Sequence, residues 1–584
     1  MQERLVNDLW AINPNAELSA APDLRGDAMP DIAAHRPPRY SPAMTATTFR
    51  LALAQMNSIV GAVAANADLI REVRRKAGEA GADLVMFPEL SLTGAPPENL
   101  ALTPAFQDAC RKTCEDLARE TADGGPALLI GLPWLEGGVL YDAYALLDGG
   151  VIQAVRFKVA LSDDGGSDQA RVFAPGPLPG PVLFRDRVRL GLPIGGDISG
   201  EEVVECLAET GAEILLSPQS SPFRSGKADE RLNLAVARVV ESGLPLVCLN
   251  RIGGEGEQVF DGASLALAAD RTLTHQLPAF REALVTIQWQ REAGRWRCLP
   301  GEIATVETGD EADYAARVLG LRDHVEKSGA AGVVLEFTGG LDAALGAVIA
   351  VDALGPERVT GVALPSAATP DGNTADANAF AAALGISCET VPVGGLVEAL
   401  ATALSPFAAP AQPFTDDDRS NRARATVLGA LAAGLGRLPL LPASRSAATQ
   451  GEGLRGAVNP IADFYETEVF RLATLRKRWR PAGARGPDGG VIPVALLAQP
   501  PDAQRDTILR ALTEGRARVA DLVAAGHDRE TVLALQRQMH RAERDRPAAA
   551  RSRHAFIDTG EQAHIPDASL VKGIGRGGGE SIDF

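Results

Sequence analysis

The sequence is poor in positive charge for its size: 57 lysines and arginines face 75 aspartates and glutamates over 584 residues, a formal net charge of −18. That balance excludes a nucleic-acid or anionic-membrane surface as the main partner, since both select clustered cations. A local basic pocket for phosphate stays open. No apolar run reaches the roughly 20 residues that a membrane-crossing helix needs, so no membrane partner is expected. The start of the chain lacks the short apolar core of a signal peptide. Cysteine is scarce too, six in all and without zinc-type pairing, which suits the reducing cytoplasm expected for this chain. Cys110 and Cys114 stand one helical turn apart with no histidine or second cysteine pair nearby. Two buried thiols on one helix face are therefore expected, not a metal pair, and no metal ligands are assigned.

What the chain does have is apolar substance, 46% of its residues, enough at this length for more than one core. Residues 1–46, rich in Pro, Ala and Asp, read as a flexible N-terminal extension. From Phe49 the pattern becomes α/β. The strand-like runs Leu51–Ala54, Leu84–Phe87, Ala127–Ile130, Val188–Leu192, Ile214–Leu216 and Leu246–Leu249 alternate with helical spacing such as Leu69, Ile70, Val73 and Ala77. This sets a first domain at 47–295, with strands ending near Gln290. A linker helix over 296–325 follows, then a second α/β domain at 326–550, with strands at Val333–Phe337, Val359–Leu364 and Leu438–Leu441. Amphipathic helices are expected between Asp502 and Arg546, and the Gly-rich 551–584 reads as a loose tail.

Amide hydrolysis by a thiol needs a nucleophile, a carboxylate base and a cation for the developing charge. Glu89, in Phe87-Pro-Glu-Leu90, sits just past a strand where a base would stand, and Lys158 follows another. Taken singly, each is a weak signal, since a charged residue after a strand is usually just solvated. Their order with Ser221-Pro-Phe223, Arg231, Arg238, Asn250 and Val259-Phe-Asp-Gly262 resembles the glutaminase domain of bacterial glutamine-dependent NAD synthetases. The resemblance implies the four-layer αββα sandwich of nitrilases, with Glu89 as base, Lys158 as the lysine and Ser221 at the glutamine site. It also implies a Cys-Glu pair where Gly191-Leu-Pro-Ile-Gly-Gly-Asp197 has Gly195 and Gly196. Glycine carries no nucleophile, so Glu89 and Lys158 are expected to be relics. The loop after Lys158 departs too, reading Leu161-Ser-Asp-Asp-Gly-Gly-Ser-Asp-Gln169.

The second domain opens with a strand, a Gly-Gly turn and a helix start, which together form a cradle for phosphate. Alone, Thr338-Gly-Gly-Leu-Asp-Ala343 serves as well for a plain strand–turn–helix connection. In context it resembles the phosphate loop of ATP pyrophosphatases, again as in NAD synthetases, and implies a Rossmann-like parallel sheet. Thr338, Gly339, Gly340, Asp342 and Arg445 are then the nucleotide-binding candidates. Ala343 has lost a hydroxyl, Ala447 a carboxylate that a hard cation would use, and Glu336 adds negative charge beside the loop. ATP and magnesium are implied by the resemblance with their ligands degraded, and no cofactor is assigned. The expectation is a homologue that has lost both half-reactions and acts as a scaffold, as a homo-oligomer or beside an intact synthetase. A divergent ammonia-using enzyme and a nucleotide binder without turnover stand as alternatives.

Overall fold

The computed structural model describes residues 48–161, 169–366, 373–407, 415–448, 457–498, 500–514 and 517–545. The expected extension 1–46, the tail 551–584 and most of the loop after Lys158 lie outside them.

Two sheets face one another in the first half. The seven-stranded sheet runs Arg295–Cys298, Ala283–Glu292, Thr48–Gln55, Leu84–Met86, Ala127–Glu136, Val139–Asp148 and Val151–Phe157 in spatial order. The six-stranded sheet runs Leu273–Gln276, Leu265–Leu267, Leu246–Asn250, Ile214–Gln219, Val188–Gly191 and Val182–Phe184. Side chains alternate across each strand, so one strand feeds two layers. Leu51 and Leu53 enter the core between the sheets with Trp289 and Leu216, whereas Ala52 and Ala54 face outward with Ile70, Cys110 and Cys114. The helices Val63–Glu79 and Pro104–Glu120 cover that outer face. Glu202–Glu209 and Lys227–Ser242 cover the other sheet. The layers are αββα. Burial pushes the Cys110 and Cys114 thiols up to about 12, so neither is a nucleophile at neutral pH.

The second half is built on a four-stranded parallel sheet in the order Ser387–Thr390, Val359–Ala363, Val333–Glu336 and Leu438–Leu440. Val333 pairs with both Val359 and Leu438, which puts the strand before the Gly-Gly turn in the sheet interior. Leu335 packs with Leu345, Val348 and Ile349 of the helix Leu341–Leu354, while Val334 packs on the opposite face with Leu428 of the helix Asp416–Leu435.

Three features differ from the sequence reading. Strand structure continues past Gln290 to Cys298, as a hairpin closing the sandwich edge. Ser387–Thr390 is a fourth parallel strand; it is short and mostly exposed, and so carries no apolar run. The expected linker helix is Asp310–Lys327, and it is a core element. Its Tyr314, Val318, Leu321 and Val325 share one cluster with Ile252 and Val259 of the first half and Leu345 of the second. Asp323 on it accepts hydrogen bonds from Asn57 Nδ2 and from the Gly254 amide, each 2.7 Å. A second buried tie holds the C-terminal half: Arg476 meets both oxygens of Asp352, at 2.7 and 2.9 Å, and Tyr314 donates to the same carboxylate at 2.7 Å.

Candidate functional site

The structure brings Glu89, Lys158 and Gly195 together. Glu89 stands on the loop beyond Leu84–Met86, Lys158 just past Val151–Phe157, and Gly195 in a short turn after Val188–Gly191. Their meeting point is where both sheets end on one side. Lys158 Nζ donates to Glu89 Oε1 at 2.6 Å, with both side chains 2% exposed. Glu89 Oε2 accepts from the Ser220 amide at 2.8 Å, and Lys158 Nζ also reaches Gln169 Oε1 at 2.7 Å. Burial pulls the lysine's pKa down, but the carboxyl groups of Glu89, Asp142 and Asp197 together outweigh it and hold the ammonium above its ordinary range.

Gly195 lies directly beneath this pair. Its φ is +51°, and a Cβ there would stand 2.7 Å from both Glu89 oxygens and from Lys158 Nζ. The space that a side chain at this position would occupy is therefore bordered at close range by the Glu89 carboxylate and the Lys158 ammonium. Asp197 fastens the turn: it accepts from the amides of Ile194, Val159 and Ala160 at 2.7–2.9 Å. Burial pushes its pKa up to about 6 against those hydrogen bonds.

Two residues here were not among the sequence candidates. Asp142, fully buried on the strand Val139–Asp148, is raised well above the carboxylate range by burial and then by the charge of Glu89. The signal in the sequence was an acid inside an apolar run, Tyr141-Asp-Ala-Tyr-Ala-Leu-Leu147. Ser220, whose amide holds Glu89, carries no signal of its own.

Ser221 lies on the next loop residue, held by Asn250: Ser221 N donates to Asn250 Oδ1 at 2.9 Å and Asn250 Nδ2 returns to Ser221 O at 3.1 Å. Asn250 is in turn held by Asp261, which a buried Arg231 grips at 2.5 and 2.8 Å. Glu89, Lys158, Gly195 and Ser221 all border one cavity of about 720 Å³ that extends to Arg445, Tyr465, Arg510 and Glu514 of the second half.

Arg445 thus faces this cavity, where it pairs with Glu514 at 3.1 Å and lies over Tyr465. The other four nucleotide candidates, Thr338, Gly339, Gly340 and Asp342, do not border it. They form the turn between Val333–Glu336 and the helix Leu341–Leu354. Thr338, Gly339 and Gly340 are exposed. Gly339 has φ +80°, a conformation that favours glycine, and the Gly340 amide donates to Thr338 Oγ1 at 3.4 Å. Asp342 turns inward, accepting from the Ser444 amide at 2.6 Å. Sequence reasoning missed Arg424, on the helix Asp416–Leu435, whose Nη1 is 3.3 Å from Glu336 Oε1.

Three carboxylates beyond the turn, Asp342, Asp506 and Glu466, stand near one another, each with an internal partner. Asp342 is committed to Ser444, and Asp506 accepts from Ser446 Oγ and the Thr467 amide at 2.6 and 2.7 Å. Glu466 leans to Arg505 at 3.5 Å. Among the described residues no three His, Cys, Asp or Glu side chains converge as metal ligands would.

Asp313, bordering the cavity, is pushed up to about 6, first by burial and then by the carboxylates of Asp463, Asp310 and Glu468 against the pull of Arg317. The folded value lies above the roughly 3.9 of a free aspartate. Its contribution to stability is thus present below that value and lost as the pH rises towards about 6. Asp313→Asn is therefore expected to melt with the parent protein near pH 4 and above it at pH 7, by on the order of 1 kcal/mol. Thermal melts at the two pH values check this, and a lower melting temperature at pH 7 refutes it.

A two-sheet sandwich with a Glu–Lys pair at its strand ends, joined to a parallel sheet with a Gly-Gly turn, defines an amidase-type fold coupled to a nucleotide-loop fold. The family models agree: carbon-nitrogen hydrolase matches residues 50–297 and NAD synthase residues 313–508. The chain is 39% identical over 517 residues to a glutamine-dependent NAD(+) synthetase of Rhodobacter capsulatus, across 85% of this chain and 93% of that one. It is 34% identical over 546 residues to the synthetase of the same name from Xanthomonas campestris pv. campestris, across 88% and 97%. The solved structure of the Acinetobacter baumannii glutamine-dependent NAD+ synthetase, in complex with ADP, matches at a TM-score of 0.71 and 28% identity, covering 88% of this chain and 99% of that one. The chain belongs to the glutamine-dependent NAD(+) synthetase family. No helix among the described residues is long and apolar enough to cross a membrane.

Proposed function

We propose that this chain keeps the synthetase fold without its two half-reactions, and works in the cytoplasm as a scaffold or regulatory partner that binds without turning over. The observation that carries this reading is the Glu89–Lys158 ion pair lying against Gly195, at the position where thiol chemistry would need a sulfur. A carboxylate and an ammonium matched to one another have no nucleophile to activate. The commitment of Asp342, Asp506 and Glu466 to internal partners supports the same reading for ATP chemistry.

Two assays test it. Ammonia release from L-glutamine is expected at background, and so is AMP formation from ATP, deamido-NAD, ammonium and magnesium. Sustained turnover in the second assay would replace this reading with that of an ammonia-using synthetase, which the remaining Thr338 hydroxyl and the exposed turn favour. Its partner as a scaffold is a second copy of this chain or an intact synthetase. Light scattering of the protein alone and mixed with such a synthetase is expected to show an oligomer in at least one case. A monomer in both removes the scaffold role.

A further inference from the structure

Asp142 is fully buried, and among the described residues no donor reaches either of its carboxyl oxygens. Its neighbours are better supplied. Asp197 accepts from the amides of Val159, Ala160 and Ile194, and Glu89 accepts from Lys158 Nζ and the Ser220 amide. The strands fix what Asp142 faces instead. Alternate residues of a strand share a face, and the Tyr144 hydroxyl, on the same strand, donates to the carbonyl of Phe87. The strand Val139–Asp148 runs antiparallel to Ala127–Glu136, itself parallel to Leu84–Met86. Moving from Tyr144 to Asp142 therefore follows the facing chain from Phe87 to Glu89. There the Asp142 carboxyl comes within hydrogen-bonding reach of the Glu89 carboxylate. The other charged groups that face it are Lys158, past the strand Val151–Phe157, and Asp197, in the turn after Val188–Gly191.

An ionised carboxylate needs donors, and burying one without them beside a second carboxylate is costly. A protonated carboxyl is itself a donor. Glu89 has room to accept, since its two oxygens offer about four lone-pair sites and only Lys158 and the Ser220 amide are seen to use them. We propose that Asp142 keeps its proton and donates it in a hydrogen bond to Glu89, as a positioning residue that holds the glutamate against Lys158 and the Ser220 amide. The cavity floor is then a chain of three groups, acid to carboxylate to ammonium, with one charge of each sign. Burial and the charge of Glu89 shift Asp142 in the direction that this requires. The role goes beyond the reading of lost turnover and stands whether or not the chain hydrolyses an amide.

The test uses the full chain with Asp142→Asn, which keeps a neutral donor, and Asp142→Val, which fills similar space in a strand without one. Infrared difference spectra between the parent protein and Asp142→Asn are recorded at pH 8, where Asp197 and Asp313, both pushed up to about 6, have ionised. The expected result is a protonated-carboxyl stretch present in the parent and lost in the variant. Hydrogen exchange at the Ser220 amide reads the hold on Glu89 directly. It is expected to match the parent in Asp142→Asn and to quicken at least about tenfold in Asp142→Val. Melting supplies the sign. A free aspartate ionises above roughly 3.9, whereas the folded protein holds this proton, so the contribution to stability is present below that value and lost as the pH rises. Asp142→Asn is therefore expected to melt with the parent near pH 4 and above it at pH 8. A parent without the infrared band overturns the proposal, and so does an asparagine variant that fails to fold, exchanges faster at Ser220 or melts below the parent at pH 8. Unchanged exchange in a folded valine variant overturns it as well. The infrared and asparagine results decide even where the valine variant does not fold, and none of these readings depends on turnover.

Discussion

Gly195→Cys is expected to leave glutamine hydrolysis at background. Restoring the sulfur does not restore the site, because the new Cβ would start 2.7 Å from Glu89 Oε1, Glu89 Oε2 and Lys158 Nζ, in a residue with φ +51°. To admit the thiol, the ends of the Glu89 and Lys158 side chains must shift from a setting in which they stand 2.6 Å apart and Glu89 is 2.8 Å from the Ser220 amide, both buried. That shift and the left-handed backbone at this position both work against a reactive geometry. The neighbouring residues do not help: Gly196 offers no side chain, and Gln169 meets Lys158 with an uncharged amide. Loss of a nucleophile from a catalytic unit lowers turnover on the order of 10⁶-fold, and the variant is expected to recover almost none of it. An ammonia-release assay with L-glutamine decides the matter. Recovery of even about a hundredth of a working thiol amidase's rate would show that the ion pair yields easily and that the site is poised for catalysis.

The second large effect lies in the other half. Arg476→Met is expected to destabilise the C-terminal half by about 3–5 kcal/mol, because it strands the fully buried Asp352 carboxylate. Arg476 also donates to the carbonyls of Gly489 and Pro487, at 2.9 and 2.7 Å, so the segment around them loses its anchor. Asp352→Asn with Arg476→Met should be milder than the single change, since no buried charge then remains. Hydrogen exchange at the amides of Leu341–Leu354 measures both. Equal protection in the parent protein and the single variant would mean that the arginine contributes nothing.

The fold was legible where side-chain alternation met a long apolar run. Leu51–Ala54, Leu84–Phe87 and Val333–Phe337 announced their strands because each buries both faces. Ser387–Thr390 went unread because an edge strand need not be apolar. The helix Asp310–Lys327 was read as a connection, although tertiary contacts on every side make it a core element, which no single periodicity records. At the site, residue order gave Glu89, Lys158 and Gly195, and the geometry joins them. It gave Arg445 as well, but not its direction: Ser444 turns to Asp342 while the next side chain turns to the cavity. Pairings between distant segments, Glu336 with Arg424 above all, are invisible in one chain because nothing local fixes them.

The close seating of Glu89 and Lys158 on Gly195 also makes this one of the least forgiving positions in the cavity wall. A larger residue there must shift the ends of a buried ion pair and hold φ near +51°, so a substitution towards a thiol is expected to pass through a less stable protein. The Thr338–Gly340 turn carries no such constraint, since its backbone stays open to solvent. Of the two places, the one that looks more complete, with its charges matched, is the less tolerant of change.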